Sequence, residues 1–537
     1  MDNPTMKNKG WAWLLVVLAG VFPFASDMFR NFQLFTPVQL AWSFAAVLAG
    51  TSGVFFATWA GVWLAENMGR RFKMPFGSKL ANGLFALAAA TIFAVFLYDS
   101  NMTELHQRFG LPRVWKAMSV LALGAGYWAI AARLGPKRTC ALLGALLVFR
   151  AGQAAWQIHG SAARGDVLTG DKEIRIYQGV KFARTPNVYL LFLESYHGFG
   201  VMEEQMGFDN RAFRKFLDEE NFVVSEETYA NYWYTMASIQ SFLQMGHHYA
   251  AGMFGYHDSL YARGFVSGSG NYYNPVLNIF KQNGYSIVYL LPSDYYYRPG
   301  AGQVDMSLLS RSWPLAPLKV SLPRFIGREP DTYVADYERQ VSRAIAEWPA
   351  GKPAFFFAKL GAEHTARTYY YQTYRRGFVR RYVESIRQSN QSVEALCRQI
   401  IARDPGAIIV LAGDHGPHSY KDTRREFLDV MREDGMPAEQ VAKDVHDVLL
   451  AIRWGDGMKP EPYPFRSLAN VMRYVFYRLS GDEALLDTAV ADDSYIVQYG
   501  ILYQTVEDGR PLAEWRVADI PSRNTPSPAD RSNRPAR

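Results

Sequence analysis

The chain has 537 residues, 49% of them hydrophobic, and carries a formal net charge of +7 at pH 7. This length exceeds one ordinary hydrophobic core and predicts two or more domains. The charge does not indicate nucleic acid binding, because no basic stripe is interleaved with aromatic side chains. Attraction to anionic lipid headgroups is consistent with it.

The first 160 residues are dominated by long apolar runs, several of which supply the ~20 apolar residues that cross a bilayer. In the fifth run, Arg150 is costly unless it faces other helices or the interface. Basic residues cluster before the first run, between the second and third, and between the fourth and fifth, which predicts that these segments are cytoplasmic. An odd number of spans then places the rest of the chain on the side of the membrane opposite the cytoplasm. The five candidate spans are Trp11–Met28, Val38–Leu64, Leu80–Tyr98, Trp115–Leu134 and Thr139–Ile158.

The domain boundaries follow from these changes in composition. We predict a transmembrane domain over residues 1–160, a polar linker over 161–186, a globular domain over 187–505 and a disordered tail over 506–537. Cys140 lies in the first domain and Cys397 in the third, so we expect no internal disulfide. The globular domain must then be stable through its own packed core, which a sheet with helices on both faces supplies.

The first strand of the globular domain is predicted over Asn187–Leu193, because this short continuous apolar run stops at a polar segment. Glu194 follows it directly, at the strand's carboxyl end. A charged residue that merely ends a strand is the alternative interpretation. A helix over Arg211–Glu220 and a strand over Phe222–Glu226 come next.

Thr235, Ser238 and Ser241 recur every three residues within YANYWYTMASIQSFLQM, which places them along one face of a predicted helix. Thr235 falls near the helix N-terminus, where backbone N–H groups and the helix dipole favour an anion. A hydroxyl there can lose its proton to a metal and act as a nucleophile. The alternative is that Thr235 only caps the helix.

The second half of the domain repeats a strand–helix pattern. Arg298 follows one strand and could bind a phosphate with its forked guanidinium, while His364 follows the strand AFFFAKL. Residues from Val304 to about Arg328 are interpreted as loop and lid. The predicted strands are Ser286–Leu291, Ala354–Leu360, a run from Ala407 and Val445–Arg453, and the predicted helices are Asp331–Trp348, Arg380–Asp404, Thr423–Asp434, Ala438–Ala442 and Phe465–Leu479.

The stretch AIIVLAGDHGPHSY, Ala407–Tyr420, ends a buried strand with Asp414, His415 and His418. One carboxylate and two imidazoles are suitable ligands for a divalent cation such as zinc or manganese. A turn with a solvated Asp and surface histidines is the alternative. Because three strands end in metal- or phosphate-competent side chains, the pattern favours a doubly wound α/β sheet with a site at the strand ends.

Four segments in this order, NVYLLFLES, TMASIQS, GAEH and LAGDHGPH, resemble the sulfatase-like branch of the alkaline phosphatase superfamily. With five spans in front, the chain resembles the membrane-anchored phosphotransferases, including lipoteichoic acid synthases and lipid A phosphoethanolamine transferases. The resemblance implies a doubly wound alkaline-phosphatase/sulfatase-like sheet with helices on both faces, preceded by an all-α bundle of five transmembrane helices. It also implies a bacterial cytoplasmic (inner) membrane location, with the catalytic domain on the periplasmic or extracellular side.

The resemblance implies roles for individual residues. Glu194, Thr235, Asp414 and His415 would bind the catalytic zinc or manganese, with Thr235 as the nucleophile. Further residues would contact the phosphate, act in proton transfer, join a second metal or read the head group; these are His364, His418 and Arg298.

The implied function is transfer of a phosphoglycerol or phosphoethanolamine group from a phospholipid donor, through a covalent phosphothreonine, to a hydroxyl of an envelope glycan or lipid acceptor.

Two features of the chain differ from those of the families it resembles: the chain lacks the several disulfides usual in phosphoethanolamine transferases, and neither cysteine lies in the C/S-x-P-x-R motif of true sulfatases. A membrane-anchored phosphate or sulfate ester hydrolase and a catalytically silent envelope-assembly scaffold are the alternatives.

Overall fold

The computed structural model describes residues 9–31, 37–71, 87, 125, 129, 133–135, 137–149, 179–247, 274–292, 303–309, 332–349, 351–361, 375–420, 426–498 and 501–518. The chain divides into two compact units. The first comprises Met1–Gly179 and Gly255–Ala358, and the second comprises Val180–Phe254 and Lys359–Arg537.

The first unit begins with two long helices, α1 (Lys9–Asn31) and α2 (Pro37–Arg71). Within α2, Ala41–Leu64 is long and apolar enough to cross a membrane, and among the described residues it is the one helix that meets this test. Several of its large apolar side chains are exposed, among them Trp42, Phe56 and Trp63. Large exposed apolar side chains along one helix are typical of a surface that contacts lipid or another protein.

The five-span bundle remains a prediction. Residues 137–149, the first half of the fifth predicted span, are helical. The predicted spans Leu80–Tyr98 and Trp115–Leu134 lie outside the described residues except for a few single positions, as does the second half of the fifth span.

The globular part contains a seven-stranded sheet in the order β2-β7-β6-β1-β5-β3-β4. Its strands β1, β3, β5 and β6 are buried along their whole lengths, which explains why they are continuous apolar runs. The strands are β1 (Val188–Leu193), β2 (Phe222–Ser225), β3 (Ser286–Leu291), β4 (Met306–Leu309), β5 (Ala354–Leu360), β6 (Ile408–Gly413) and β7 (Leu450–Arg453).

The sheet is mixed. In the second unit β1 and β6 are parallel, while β7 pairs antiparallel with both β6 and β2. In the first unit β3 is parallel to β4 and to β5. The predicted α/β class is therefore confirmed, and the antiparallel edge formed by β7 and β2 is an addition to it.

Most of the remaining helices coincide with predicted ones, with ends that differ by a few residues, but the helices at Phe199–Met206 and Ala484–Asp487 were not predicted. Their bounds are α3 (Phe199–Met206), α4 (Arg211–Glu219), α5 (Thr235–Gln244), α6 (Pro275–Gln282), α7 (Thr332–Ala346), α8 (Arg375–Arg403), α9 (Phe427–Asp434), α10 (Ala438–His446), α11 (Val471–Ser480) and α12 (Ala484–Asp487), with a 3-10 turn at Leu468–Asn470 before α11.

Two predicted elements need correction. The strand predicted over Val445–Arg453 begins only at Leu450, because helix α10 continues through His446. The segment from Val304, predicted as loop and lid, contains strand β4, whose apolar residues add to the edge beside β3.

The predicted start of the disordered tail at residue 506 is wrong. A second, antiparallel sheet contains β8 (Ser494–Gln498), β9 (Ile501–Glu507) and β10 (Arg510–Val517). Asp508 and Gly509 form the turn between β9 and β10, both with positive φ (46° and 70°). Asp-Gly is the sequence signature of such a two-residue hairpin turn, so the chain folds back here and remains ordered through β10.

Candidate metal centre

The two central strands of the second unit bring two carboxylates together. Leu193 of β1 pairs with Gly413 of β6, so the next residues, Glu194 and Asp414, leave the sheet side by side. A Cβ at Gly413 would come 2.2 Å from the carbonyl oxygen of Tyr196. Only glycine leaves room for this close approach, and the strand ends are thereby fixed next to each other.

Asp414 is fully buried, and both of its oxygens have partners. Oδ1 accepts hydrogen bonds from the backbone N–H groups of Ser195 (2.7 Å) and His415 (3.1 Å). Oδ2 faces the Nζ of Lys359 at 2.8 Å and the Nε2 of His415 at 3.6 Å. These contacts fix the orientation of the carboxylate, with Oδ2 as the oxygen that faces Lys359 and His415.

The imidazole of His415 is oriented by the main chain. Its Nδ1 lies 2.7 Å from the carbonyl oxygen of Gly416. A carbonyl oxygen only accepts, so Nδ1 carries a proton, and Nε2 is the ring nitrogen that faces Asp414 and Thr235. This is the arrangement that orients a histidine as a metal ligand.

Thr235 is the first residue of α5, and its hydroxyl joins the same cluster. Its Oγ1 lies 3.3 Å from Glu194 Oε1 and 3.2 Å from His415 Nε2. The residue at the N-cap position is Tyr234, so Thr235 is not the cap of the helix. The interpretation of Thr235 as a mere cap is therefore wrong.

The other two hydroxyls of the predicted helix face do not enter this cluster. Ser238 donates to the carbonyl oxygen of Tyr232 and Ser241 to that of Gly246, both at 2.8 Å. These two serines stabilise the local turns around α5.

The residues present fit a divalent cation. Glu194, Asp414 and His415 each offer a ligand atom, and these atoms lie within 4.8 Å of one another. Two carboxylates, an imidazole and a neighbouring hydroxyl form a mixed oxygen and nitrogen donor set that suits zinc or manganese.

The other predicted site residues have different outcomes. His418 adopts a left-handed backbone conformation (φ 59°), and its ring stacks on that of His415 with centroids 4.9 Å apart. It therefore lies beside the cluster. Arg298 and His364 lie outside the described residues, so their positions, like the roles of all these residues, stay predictions.

Sequence reasoning missed Lys359, the second-last residue of β5. Its side chain is 2% exposed, and its Nζ lies 2.5 Å from Glu194 Oε2 and 2.8 Å from Asp414 Oδ2. Burial lowers the pKa of this amine, but the attraction of Asp414 and Glu194 outweighs burial and raises it overall. A lysine inside an otherwise apolar strand was the available signal, since a buried ammonium needs anionic partners.

A buried polar network supports the loop that carries Asp414 and His415. His197 Nδ1 lies 2.9 Å from the carbonyl oxygen of Asp447, and Gly198 N–H donates to the Asp447 carboxylate at 3.0 Å. Burial raises the pKa of Asp447 to about 7. Ser419 donates to Asp444 at 2.7 Å, which ties the end of the loop to α10.

The fold and the cluster together define a class of protein: an α/β protein that presents a candidate divalent-metal centre beside the hydroxyl group of Thr235. The sequence model of the family described as Sulfatase matches residues 186–457, more than half of the chain. The chain belongs to this family. No curated protein sequence matches it.

Solved structures with a similar fold have low sequence identity. The C-terminal periplasmic domain of EptC from Escherichia coli, in a complex with zinc, is 14% identical over 59% of this chain and 91% of that chain, with a TM-score of 0.39. The lipoteichoic acid synthase LtaP from Listeria monocytogenes is 12% identical over 63% and 88%, with a TM-score of 0.38. The integral membrane lipooligosaccharide phosphoethanolamine transferase A (EptA) from Neisseria meningitidis is 11% identical over 86% and 95%, with a TM-score of 0.36.

Proposed function

We propose that this protein is a metal-dependent transferase that moves a phosphoglycerol or phosphoethanolamine group from a membrane phospholipid to a hydroxyl of an envelope glycan or lipid. The observation that supports it is the convergence of Glu194, Thr235, Asp414 and His415 from three separate parts of the chain. Membership of the sulfatase family supports chemistry at a phosphate or sulfate ester.

The first half of the reaction uses Thr235. Its Oγ1 attacks the phosphorus of the lipid, a new Oγ1–P bond forms, and the bond from phosphorus to the diacylglycerol oxygen breaks. Glu194 Oε1, 3.3 Å from the hydroxyl, accepts its hydrogen bond and is placed to take the proton. A divalent cation held by Glu194, Asp414 and His415 would supply Lewis acidity that lowers the pKa of the hydroxyl and offsets phosphoryl charge.

The second half returns Thr235 to its starting state. The acceptor hydroxyl attacks the same phosphorus and gives its proton to the histidine that protonated diacylglycerol. The Oγ1–P bond breaks, and Thr235 Oγ1 takes back the proton held by Glu194. The diacylglycerol oxygen released earlier must also take a proton, a role proposed for His418 or His364. The N-terminus of α5 directs backbone N–H groups toward the phosphoryl oxygens.

The apolar helices of the first unit give the proposal its location. We place the protein in the bacterial cytoplasmic membrane with the second unit on the periplasmic side. A membrane-tethered site meets a lipid donor at high effective concentration, because both stay in the same bilayer.

Two other functions use the same chain differently. A hydrolase would employ the same residues but let water resolve the phosphothreonine or its sulfate equivalent, and the family description favours it. Neither cysteine lies in the motif that yields formylglycine, which weighs against a true sulfatase. A silent envelope scaffold would need no working ligand set.

The test is incubation of the purified full-length protein with labelled phospholipids, an envelope extract that supplies glycan and lipid acceptors, and Zn²⁺ or Mn²⁺. Labelled products are then separated, and the protein is examined by intact-protein mass spectrometry. We expect diacylglycerol release and a phospho-alcohol mass on Thr235. The Thr235→Ala variant should lose turnover at least about a thousandfold, because the nucleophile is gone, with its thermal unfolding midpoint unchanged.

Thr235→Ser is the matched control, since it keeps a hydroxyl at the same place and should retain measurable transfer and the adduct. Release of free phospho-alcohol with no modified acceptor would support the hydrolase instead. Near-normal transfer by Thr235→Ala would exclude the nucleophile.

A further inference from the structure

The ammonium group of Lys359 occupies the position between the carboxylates of Glu194 and Asp414 that a metal ion would take. Its ammonium bridges Glu194 Oε2 and Asp414 Oδ2. These side chains are two of the three candidate metal ligands. The protein therefore supplies a positive charge of its own to the carboxylate pair.

The geometry of Asp414 makes the ammonium and a metal ion competitors. Two backbone N–H groups hold Oδ1, so Oδ2 is the oxygen turned toward Lys359 and His415. A metal ion that binds both His415 Nε2 and this oxygen must share it with the ammonium or displace the ammonium. Two cations this close in a buried site repel each other strongly.

The same contacts stabilise the protein without metal. Glu194 and Asp414 are both nearly buried, with side-chain exposures of 8% and 0%. Two adjacent buried carboxylates without a counterion are strongly destabilising, whereas an ammonium between them neutralises the pair.

We propose that Lys359 is a built-in competitor for the metal: its ammonium holds the two carboxylates together in the metal-free protein and leaves them when a divalent cation binds. The inference rests on the proposed metal-dependent function. It adds that metal affinity is set by an internal exchange of one cation for another. Lys359 is thus a positioning residue that tunes metal uptake.

The experiment measures metal affinity in the purified full-length protein by calorimetric titration with Zn²⁺ and with Mn²⁺. Lys359→Met keeps the length of the side chain and removes its charge. We expect it to bind metal at least about tenfold more tightly than the wild type and to unfold at a lower temperature without metal. Added metal should raise its unfolding temperature more than that of the wild type.

Lys443→Met is the matched control. Lys443 is partly exposed and pairs with Glu204 at 3.3 Å on α3, so its loss should change neither metal affinity nor the response to metal. Lys359→Arg provides a second variant that keeps the positive charge. Because a guanidinium can bridge two carboxylates with several donors, we expect its metal affinity to be no higher than that of the wild type.

The outcomes separate the inference from the proposed function. Equal or weaker metal binding by Lys359→Met, or tighter binding by Lys359→Arg, would overturn the competitor role while leaving a metal-dependent enzyme intact. If Lys359→Met does not fold, the Arg variant decides by the direction of its change in affinity. Absence of binding in the wild type and in all variants would overturn both proposals.

Discussion

At the scale of single residues, His446 is a buried imidazole with both ring nitrogens in contact with partners. Its Nδ1 lies 2.9 Å from the carbonyl oxygen of Ala230, and its Nε2 lies 3.0 Å from Thr505 Oγ1. Burial lowers the pKa of His446 from 6.5 to about 3. The folded protein therefore holds this ring neutral at pH values where the unfolded chain protonates it.

We predict a pH-dependent contribution of His446 to stability. Because its folded-state pKa is depressed, the contribution is fully present above pH 6.5 and is lost as the pH falls toward 3. The free energy of unfolding of the wild type, minus that of His446→Gln, should fall by roughly 1 kcal/mol per pH unit across this window. Denaturant unfolding at a series of pH values measures both.

Subtraction of the variant removes the effect of other groups, including Asp447, whose raised pKa acts in the opposite direction. A difference in unfolding free energy that stays constant from pH 7 to pH 4 would contradict a buried neutral His446.

The sequence identified those site residues that directly follow a buried strand or begin a helix. Glu194, Asp414 and His415 could be predicted because an apolar run stops abruptly before them. Thr235 could be predicted because it lies near the start of a helix. Lys359 could not be identified as a site residue in this way. It lies inside an apolar run, and its partners are remote in sequence, so only the pairing of strands brings them together.

At the scale of elements, the loop after β6 depends on glycine for its path. A Cβ at Gly416 would lie 2.0 Å from the carbonyl oxygen of Asp444 and 2.7 Å from the ring of His197. The first of these neighbours is backbone, which cannot turn aside as a flexible side chain can. The position of His415, one residue earlier, therefore depends on Gly416.

We predict that Gly416→Ala destabilises the protein by about 1–3 kcal/mol, because the added methyl group forces the loop and α10 apart. The shift should also weaken Zn²⁺ binding at least about tenfold. Thermal unfolding and metal titration measure the two effects.

Gly200→Ala is the control for this substitution. Gly200 lies in α3, and an added Cβ there would meet no other atom within 4 Å outside the helix's own backbone, so alanine should be neutral or stabilise by less than about 1 kcal/mol. Unchanged metal binding by Gly416→Ala would show that the loop tolerates the displacement.

Element bounds were predicted well where a long apolar or amphipathic run decided them, as for β1 and α4. The predicted bounds were wrong where the local turn residues determined the end of an element. The Asp508–Gly509 hairpin was overlooked because the polar composition of the following residues outweighed the turn signal. Both ends of β10 nevertheless pair with β9, through Arg510 and Pro511 and through Arg516 and Val517.

At the scale of the whole molecule, the sequence predicted an apolar N-terminal region followed by an α/β domain, and the described residues contain both. Of the five predicted spans, the described residues include α1, α2 and the helical residues 137–149. Membrane spans are read from composition, and their packing against each other leaves little trace in a single sequence.

We predict that the full-length protein remains with the membrane fraction after an alkaline carbonate wash. A protease added outside spheroplasts should digest the region 180–518, because an odd number of spans places it on the outer side. Immunoblotting with antibodies against this region follows its loss. Inside-out vesicles are the control, and digestion there rather than in spheroplasts would reverse the topology.

The separation of the ligands along the chain affects when the protein can acquire its ion. Ser195, next to Glu194, and Asp414 are 219 positions apart. At ~5–20 residues per second, a ribosome needs on the order of ten to forty seconds to travel from one to the other. A nascent chain therefore carries half a binding site while these 219 of its 537 residues are added, which is less than half of its synthesis. Loading would then depend on the ion supply of the compartment in which the finished domain folds.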